Sequence, residues 1–357
     1  MFRLIFQNHS FSQPSDFQKI PGDFPEFAIE ALHFCKEWLS GKETFTLQTS
    51  GSTGKPKQIQ IHKSQMIESA KATGEFFKIN PTMNLLCCLN PRYIAGKMML
   101  VRAMVWNCNL LLVESSSNPL STIPSGFEPN FIALVPLQVQ TLLENEESTK
   151  ILQRIKNIII GGAPIHSGLK QKLEDLQIHA WQTYGMTETV SHIALAPIKS
   201  GELHYQILPG VEIGTDSRGA LWIKSPMSNE EKIQTNDLVR LDSKYSFSWL
   251  GRADFVINSG GIKIHPELLE SKMEPSIHYY FPGSLFFLSG KPDERLGQKL
   301  ILLIESQEKD PEKIDLLLVD LKNKVTRFEF PREIRLIDKF DLTPNGKIDR
   351  IKTLSKA

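Results

Sequence analysis

Between Leu85 and Trp181 the chain alternates short apolar runs with stretches of helical periodicity, and this alternation restricts the fold more than any other feature. Leu85–Leu89 is apolar, Ala95–Trp106 reads as a helix, and Leu110–Val113 is apolar again. Phe131–Val135 followed by Leu137–Glu144 repeats the step. Ile155–Ile160 then runs into Gly161-Gly162, and a helix at Gly168–Asp175 leads to a strand at Ile178–Trp181. Strands that are apolar on both faces belong in a sheet covered on both sides, which is the parallel sheet of α/β proteins. Ligands of such sheets sit at the carboxyl ends of strands, so Gly161 and Tyr184, each expected just after a strand, are where a ligand would be met.

The pattern changes after about residue 203. Val211–Ile213 and Ala220–Lys224 flank the turn cluster Asp216-Ser217-Arg218-Gly219, and a second pair flanks Asp242-Ser243-Lys244; both read as antiparallel hairpins. A smaller α+β stretch follows. Phe255–Asn258 and Lys263–His265 straddle Ser259-Gly260-Gly261, and Pro266 opens a helix over Glu267–Met273. Strands are expected at Leu285–Leu288, Lys299–Ile304 and Glu333–Ile337, with a helix at Lys313–Val325. The fold class is therefore α/β. A large N-terminal sheet domain with an antiparallel portion (residues 1–251) is followed by a small α+β domain (252–357), with the boundary near Gly251–Asp254.

With 357 residues, 41% hydrophobic and 23% charged, the chain has ordinary globular composition and room for two domains. A formal net charge of +1 gives no sign of a nucleic-acid or anionic-membrane partner. The four cysteines (Cys35, Cys87, Cys88, Cys108) lack Cys-x-x-Cys spacing, so reduced thiols in a cytoplasm are expected rather than zinc or disulfides. No signal peptide or apolar run of membrane-spanning length is read.

Thr49-Ser50-Gly51-Ser52-Thr53-Gly54-Lys55-Pro56-Lys57 packs hydroxyls, glycines and lysines between an apolar run (Phe45, Leu47) and an alternating one (Ile59, Ile61). Glycine permits close backbone approach, and hydroxyls with free N–H groups surround phosphate oxygens. It is not a Walker A loop: Thr49 occupies the first glycine position relative to Gly54, and Pro56 follows Lys55.

Further along, small residues at Gly161-Gly162-Ala163-Pro164 leave room for a flat ring, although a strand-to-helix turn with Pro164 near the first helical position accounts for them equally. In Tyr184-Gly185-Met186-Thr187-Glu188-Thr189, a tyrosine face suits a base, Thr187 offers a hydroxyl, and Glu188 offers a hard oxygen for magnesium. The plain alternative is a polar helix start capped by Thr187. Gly260 and Gly261 suit either a hairpin turn or the passage of a narrow ligand arm. Pro344-Asn345-Gly346 makes a tight turn before Lys347, a position from which an ammonium can stabilise developing negative charge.

In this order the segments resemble the adenylate-forming superfamily of acyl-CoA synthetases, luciferases and peptide-synthetase adenylation domains, with motifs running from Thr49 to Lys347. The resemblance implies ATP, Mg2+ and coenzyme A as ligands. It implies phosphate contacts from Thr49, Ser50, Gly51, Ser52, Thr53, Gly54 and Lys57, and nucleotide contacts from Gly162, Ala163, Pro164, Tyr184 and Gly185. Asp237 and Arg252 would hold the ribose. Asn236 stands where the family has glycine, and asparagine is the next best residue for a left-handed backbone. Thr187, Glu188 and Lys347 would be catalytic, Glu188 through the metal. Asp254 would be the hinge of a mobile small domain, and Gly260 and Gly261 would pass the pantetheine arm.

Within the superfamily the chain looks like the o-succinylbenzoate–CoA ligases of menaquinone synthesis, whose substrate has a second carboxylate and a keto group. Tyr93, Arg92, Lys97, Ser191 and His192 are the residues expected to meet it, with His192 one helical turn after Glu188. The alternatives are another acyl- or aryl-CoA ligase, a stand-alone amino-acid adenylating enzyme, or a nucleotide-binding remnant without catalysis. Partners are small molecules rather than nucleic acid, and nothing in the sequence bears on oligomeric state.

Overall fold

The fold is that of a computed structural model describing residues 1–48, 58–343 and 348–356. The larger unit runs β1 (Arg3–Phe6), β2 (His9–Phe11), α1 (Glu26–Leu39), β3 (Thr44–Gln48), β4 (Gln58–His62), α2 (Lys63–Phe77), β5 (Asn84–Cys87), α3 (Ile94–Trp106), β6 (Asn109–Leu112), β7 (Phe131–Leu134), α4 (Pro136–Leu142), α5 (Glu146–Arg154), β8 (Asn157–Ile160), α6 (Ser167–Asp175) and β9 (Ala180–Gly185). The antiparallel portion adds β10 (His192–Pro197), β11 (His204–Ile207), β12 (Glu212–Thr215), β13 (Ala220–Lys224), β14 (Ile233–Ser243) and β15 (Ser246–Arg252). The rest of the chain forms β16 (Ile257–Ser259), β17 (Ile262–Ile264), α7 (Pro266–Tyr280), β18 (Phe286–Asp293), β19 (Gly297–Glu305), α8 (Pro311–Lys322), β20 (Glu333–Ile337) and α9 (Arg350–Leu354).

One 13-stranded sheet has the order β12-β13-β14-β15-β11-β10-β9-β8-β7-β5-β6-β1-β2. From β9 to β1 the neighbours are parallel, and from β9 to β12 they are antiparallel. The apolar runs explain the parallel block. Leu85, Cys87, Phe131 and Ile159 face a core shared with Leu32, Met66 and Met99, from the three helices α1, α2 and α3. The intervening Leu86, Ile132, Ile158 and Ile160 face a second core with Leu142, Leu152 and Leu169 of α4, α5 and α6. Successive residues point to opposite faces, so only a run apolar throughout can fill both cores.

The large sheet ends at Arg252 and the second, five-stranded sheet begins at Ile257. Gly260 and Gly261 form a two-residue hairpin turn between Ser259 and Ile262, with φ of +59° and +81°, values that glycine adopts without a Cβ penalty.

Several boundaries differ from the sequence reading. The last parallel strand is not Ile178–Trp181 but Ala180–Gly185, so Tyr184 lies inside it. Its interior holds the buried Gln182, whose Nε2 donates to the carbonyls of Ile160 and Ala163, and this polar position interrupts the apolar pattern. The helix after Gly161 starts at Ser167 with His166 as its cap, leaving Pro164 outside the helix. Helix α7 continues past Met273, through Pro275, to Tyr280. β1, β2, α1, α2 and α5 were not expected from the pattern at all.

Helix α7 also fastens the two sheets together. Glu274 accepts a hydrogen bond from the Ser167 amide (2.6 Å) at the start of α6, and Glu267 accepts one from the Arg252 amide (3.4 Å). Glu267 Oε2 is buried without a partner among the described residues, and a Cβ on Gly251 would lie 2.6 Å from it. Burial pushes the Glu267 carboxyl up to about 7; Arg350 and the Arg252 amide oppose the rise, and Glu270 adds to it. A carboxyl whose folded pKa is raised contributes stability that is fully present below its unfolded value near 4.5 and is lost as pH climbs through the folded value. Thermal melts of wild type and Glu267→Gln should therefore coincide below about pH 4.5 and separate above pH 7. The variant is then the more stable by on the order of 2 kcal/mol, discounted for partial exposure. Parallel curves from pH 4 to 8 would contradict this assignment.

Candidate active site

Tyr184, Gly185, Thr187, Glu188, Ser191 and His192 lie where the sheet turns from parallel to antiparallel, between β9 and β10. Gly161 opens the loop after β8, and a Cβ there would meet Thr183 Oγ1, so the loop starts directly against β9. Gly162, Ala163 and Pro164 follow with their surfaces open to solvent. The Tyr184 ring packs edge-on against Tyr205 and Phe247, at 5.8 and 5.1 Å. Its hydroxyl donates to Asp237 Oδ2 at 2.6 Å. Burial, then the Asp237 charge, hold this phenol above its ordinary range, so it stays a donor.

Asp237 of β14 pairs in register with Arg252 of β15. Their charged ends are 3.9 Å apart, and Arg252 reaches on to Asp254 at 2.6 Å. Tyr184, Asp237, Arg252 and Asp254 thus form one polar chain, with Asn236 donating to Asp254 at 3.3 Å. Asn236 is not left-handed: it lies in the extended β14 and is absent from the positive-φ residues described. The expected glycine-like turn is replaced by a continuous strand.

After β9 the chain makes a short 3-10 turn at Thr187–Thr189. Thr189 Oγ1 ties it down, donating within reach of the Met186 and Ser191 carbonyls at 3.0 and 2.8 Å. Val190 then takes φ +65°, a conformation costly for a β-branched residue, by about 1–3 kcal/mol. This reversal sends Ser191 and His192 back along β9. Gly185 receives them, since a Cβ there would lie 2.5 Å from His192 Cα. His192 therefore does not follow Glu188 on a helix; it opens β10 and is only 5% exposed. Glu188 is exposed, with no hydrogen bond or ion pair among the described residues.

The other residues expected at the acid lie on α3 and the loop before it. Tyr93 is 60% exposed at the start of α3. Arg92 pairs with Glu26 and Glu30 at 3.2 and 3.8 Å, and Lys97 donates to the Pro91 and Arg92 carbonyls at 2.6 and 3.2 Å. These cations brace their own loop against α1. Gly260 and Gly261 stay in the small sheet, where the Gly260 amide donates to Leu296 at 2.9 Å. Thr49, Ser50, Gly51, Ser52, Thr53, Gly54 and Lys57 lie outside the described residues, as does Lys347. Their flanks are defined: β3 and β4 pair antiparallel from Thr44↔His62 to Gln48↔Gln58, and Leu342 bridges Ile348.

Sequence reasoning missed Arg102, about 13 Å further along α3 than Tyr93 at the helical rise. It is 2% exposed and makes no ion pair among the described residues. One guanidinium nitrogen donates to Ser191 Oγ at 3.1 Å and lies 3.5 Å from His192 Nδ1. Another is 3.6 Å from Met99 sulfur, and Nε has no partner among the described residues. Burial pulls the guanidinium down to about 10, and no carboxylate offsets it. A buried cation without a counter-ion costs several kcal/mol unless a ligand supplies the anion. The available signal was an arginine set in the apolar run Met98-Met99-Leu100-Val101 and Ala103-Met104-Val105-Trp106, on a helix whose only other charge is Lys97. A cavity of about 620 Å³ lies against the antiparallel strands beside Phe76, Leu208, Pro209 and Tyr245, and none of the site residues above lines it.

A model of the AMP-binding enzyme family matches residues 13–214. The 2-succinylbenzoate–CoA ligase of Lactococcus lactis subsp. lactis (strain IL1403) is 27% identical over 359 residues, spanning 91% of this chain and 76% of that protein. An acyl-CoA synthetase (AMP-forming)/AMP-acid ligase II-like protein from Dyadobacter fermentans DSM 18053, known as a crystal structure, is 37% identical with a TM-score of 0.65, covering 97% of this chain and 98% of that one. The o-succinylbenzoate CoA synthetase of Bacillus subtilis, solved with the acyl-adenylate OSB-AMP, superimposes with a TM-score of 0.71 over 87% of this chain and 69% of that one; at 22% identity this is a likeness of fold.

Proposed function

This chain belongs to the AMP-binding enzyme family, the adenylate-forming superfamily, and we propose that it is an AMP-forming acid–thiol ligase converting o-succinylbenzoate to its coenzyme A thioester in menaquinone synthesis. The aliphatic carboxylate attacks the α-phosphorus of ATP, forming a mixed anhydride and releasing pyrophosphate. The thiol of coenzyme A then attacks the acyl carbon and AMP leaves. The L. lactis relative carries this activity in its name.

The observation that carries the substrate is Arg102. An acid with a single carboxylate loses that charge to the anhydride and gives a buried guanidinium nothing lasting to pair with. A second, aromatic carboxylate would remain through both steps. The Arg102–Ser191–His192 cluster lies across one ladder position from Gly185, hence one residue from Tyr184. That spacing suits an acid lying beside a nucleotide held by Tyr184, Asp237 and Arg252.

Thr49–Gly54 and Lys57 would surround the phosphates, and Gly162, Ala163 and Pro164 would lie along the adenine. Thr187 would hydrogen-bond the α-phosphate. Magnesium, when bound, neutralises phosphate charge, and the carboxylate of Glu188, which has no partner among the described residues, suits such a hard cation. Lys347 would complete the cationic surround for adenylation. Residues 252–357 would then turn about Asp254, bringing Gly260 and Gly261 to the pantetheine arm. Buried thiols at all four cysteines suit a reducing cytoplasm, and no described helix is long and apolar enough to cross a membrane.

The test is carboxylate-dependent exchange of labelled pyrophosphate into ATP across a panel of acids. o-Succinylbenzoate should support the fastest exchange, by at least about tenfold over 4-oxo-4-phenylbutanoate, which lacks the aromatic carboxylate. A stronger response to a fatty, aryl or amino acid would replace this substrate, and no exchange with any acid would leave a nucleotide-binding remnant.

A further inference from the structure

We propose that His192 is a positioning residue for Arg102: its tautomer is fixed by Thr73, so that it presents a lone pair to the guanidinium and holds that charge where the second carboxylate of the acid binds. The inference rests on the substrate reading above. It concerns a residue that does not itself touch the reacting atoms.

The argument is one of hydrogen-bond valence. The Thr73 hydroxyl has one proton, and it donates to the Ser69 carbonyl at 2.9 Å, one turn back on α2. A carbonyl only accepts, so that proton is committed. His192 Nε2 lies 3.1 Å from the same hydroxyl oxygen. The contact forms only if the imidazole donates, which places its proton on Nε2. Nδ1 is then unprotonated, and it faces the Arg102 guanidinium at 3.5 Å and Ser191 Oγ at 3.4 Å. Arginine has no acceptor, so the lone pair is the only form of Nδ1 that matches it.

The reverse assignment fails twice. A proton on Nδ1 would point at a buried cation and leave Nε2 facing a hydroxyl with no proton to give. A doubly protonated ring would set two cations side by side out of water. Burial and Arg102 accordingly hold His192 well below its ordinary range, so the cluster keeps a single positive charge. Both ends of the relay are fixed by backbone: Thr73 by its own helix, and His192 by its ladder pairing with Gly185. Arg102 is thereby constrained on one edge while Nε has no partner among the described residues. An arginine so held, beside a neutral ring, offers its remaining N–H groups to a carboxylate without paying for reorientation.

The experiment measures steady-state kinetics of the full chain with o-succinylbenzoate and with 4-oxo-4-phenylbutanoate. His192→Ala should raise the KM for o-succinylbenzoate about tenfold. The KM for ATP and the kinetics with the monocarboxylate should stay within about twofold. His192→Asn, whose Oδ1 takes the place of Nδ1, should recover most of the loss. Thr73→Val removes the partner that fixes the tautomer and should raise the same KM by a smaller factor, which keeps the idea testable should the alanine variant fold poorly. A loss shared equally by both acids, a KM for ATP that rises in step, or an asparagine variant no better than alanine would each overturn the positioning role. Failure of the wild-type enzyme to use o-succinylbenzoate would instead overturn the substrate reading, so the two failures are distinguishable.

Discussion

Arg102→Met should yield a more stable protein that no longer activates o-succinylbenzoate. The two effects share one cause. Methionine fills much of the same volume beside Met99 and needs no counter-ion, so the desolvation cost of the buried guanidinium disappears. A gain of roughly 1–3 kcal/mol follows, read as a higher Tm without ligands. The same substitution removes the only cation that meets Ser191 and His192 among the described residues. Losing a desolvated carboxylate–guanidinium pair costs about 3–5 kcal/mol, so kcat/KM for o-succinylbenzoate should fall by roughly two to four orders of magnitude. ATP binding, measured by calorimetry without acid, should be unchanged. A drop in Tm would mean that Arg102 is a structural cation with a partner inside the fold. An equal loss with 4-oxo-4-phenylbutanoate would mean that it does not read the second carboxylate.

Arg102 also illustrates what local pattern conveys and what it does not. The parallel block was legible because both faces of β5, β7 and β8 are buried, and burial on both faces leaves an unbroken apolar run. Tyr184, Asp237 and Arg252 were legible only through resemblance, but the structure joins them through one hydrogen bond and one ion pair. The wall of the proposed acid site was nearly invisible. Helix α2 buries Gln65, Ser69 and Thr73 among its core positions, which weakens its apolar stripe. On α3 an apolar sequence marks a helix but does not say which neighbour covers the arginine. His192 was read as helical because Thr187-Glu188-Thr189 resembles a helix start. The reversal at Val190 depends on a left-handed φ that a β-branched residue rarely adopts, so no propensity argument reaches it. Positions where local preference loses to tertiary demand cluster around the proposed site, as is common where function opposes stability.

Lys347→Ala should divide the reaction in two. Pyrophosphate exchange should fall by roughly a thousandfold, while thioester formation from supplied acyl-adenylate and coenzyme A should stay within a fewfold of wild type. Two anions, the carboxylate and the triphosphate, must meet only in the first step, with charge moving onto the α-phosphate oxygens and the departing pyrophosphate, and a cation placed for that encounter lowers its barrier alone. The flanks of the segment are anchored: Leu342 bridges Ile348, the Asp349 amide donates to the Asp341 carbonyl at 2.8 Å, and Phe340 is buried. Removing one side chain between them should therefore leave the fold intact. Lys352, paired with Asp341 at 3.2 Å, provides the control. Lys352→Ala should lose at most a surface ion pair, worth under about 1 kcal/mol, and change neither half-reaction. Equal losses in both half-reactions for Lys347→Ala would make this lysine a structural or general electrostatic contributor. The adenylating cation would then have to be sought elsewhere, with Lys57 the first to test.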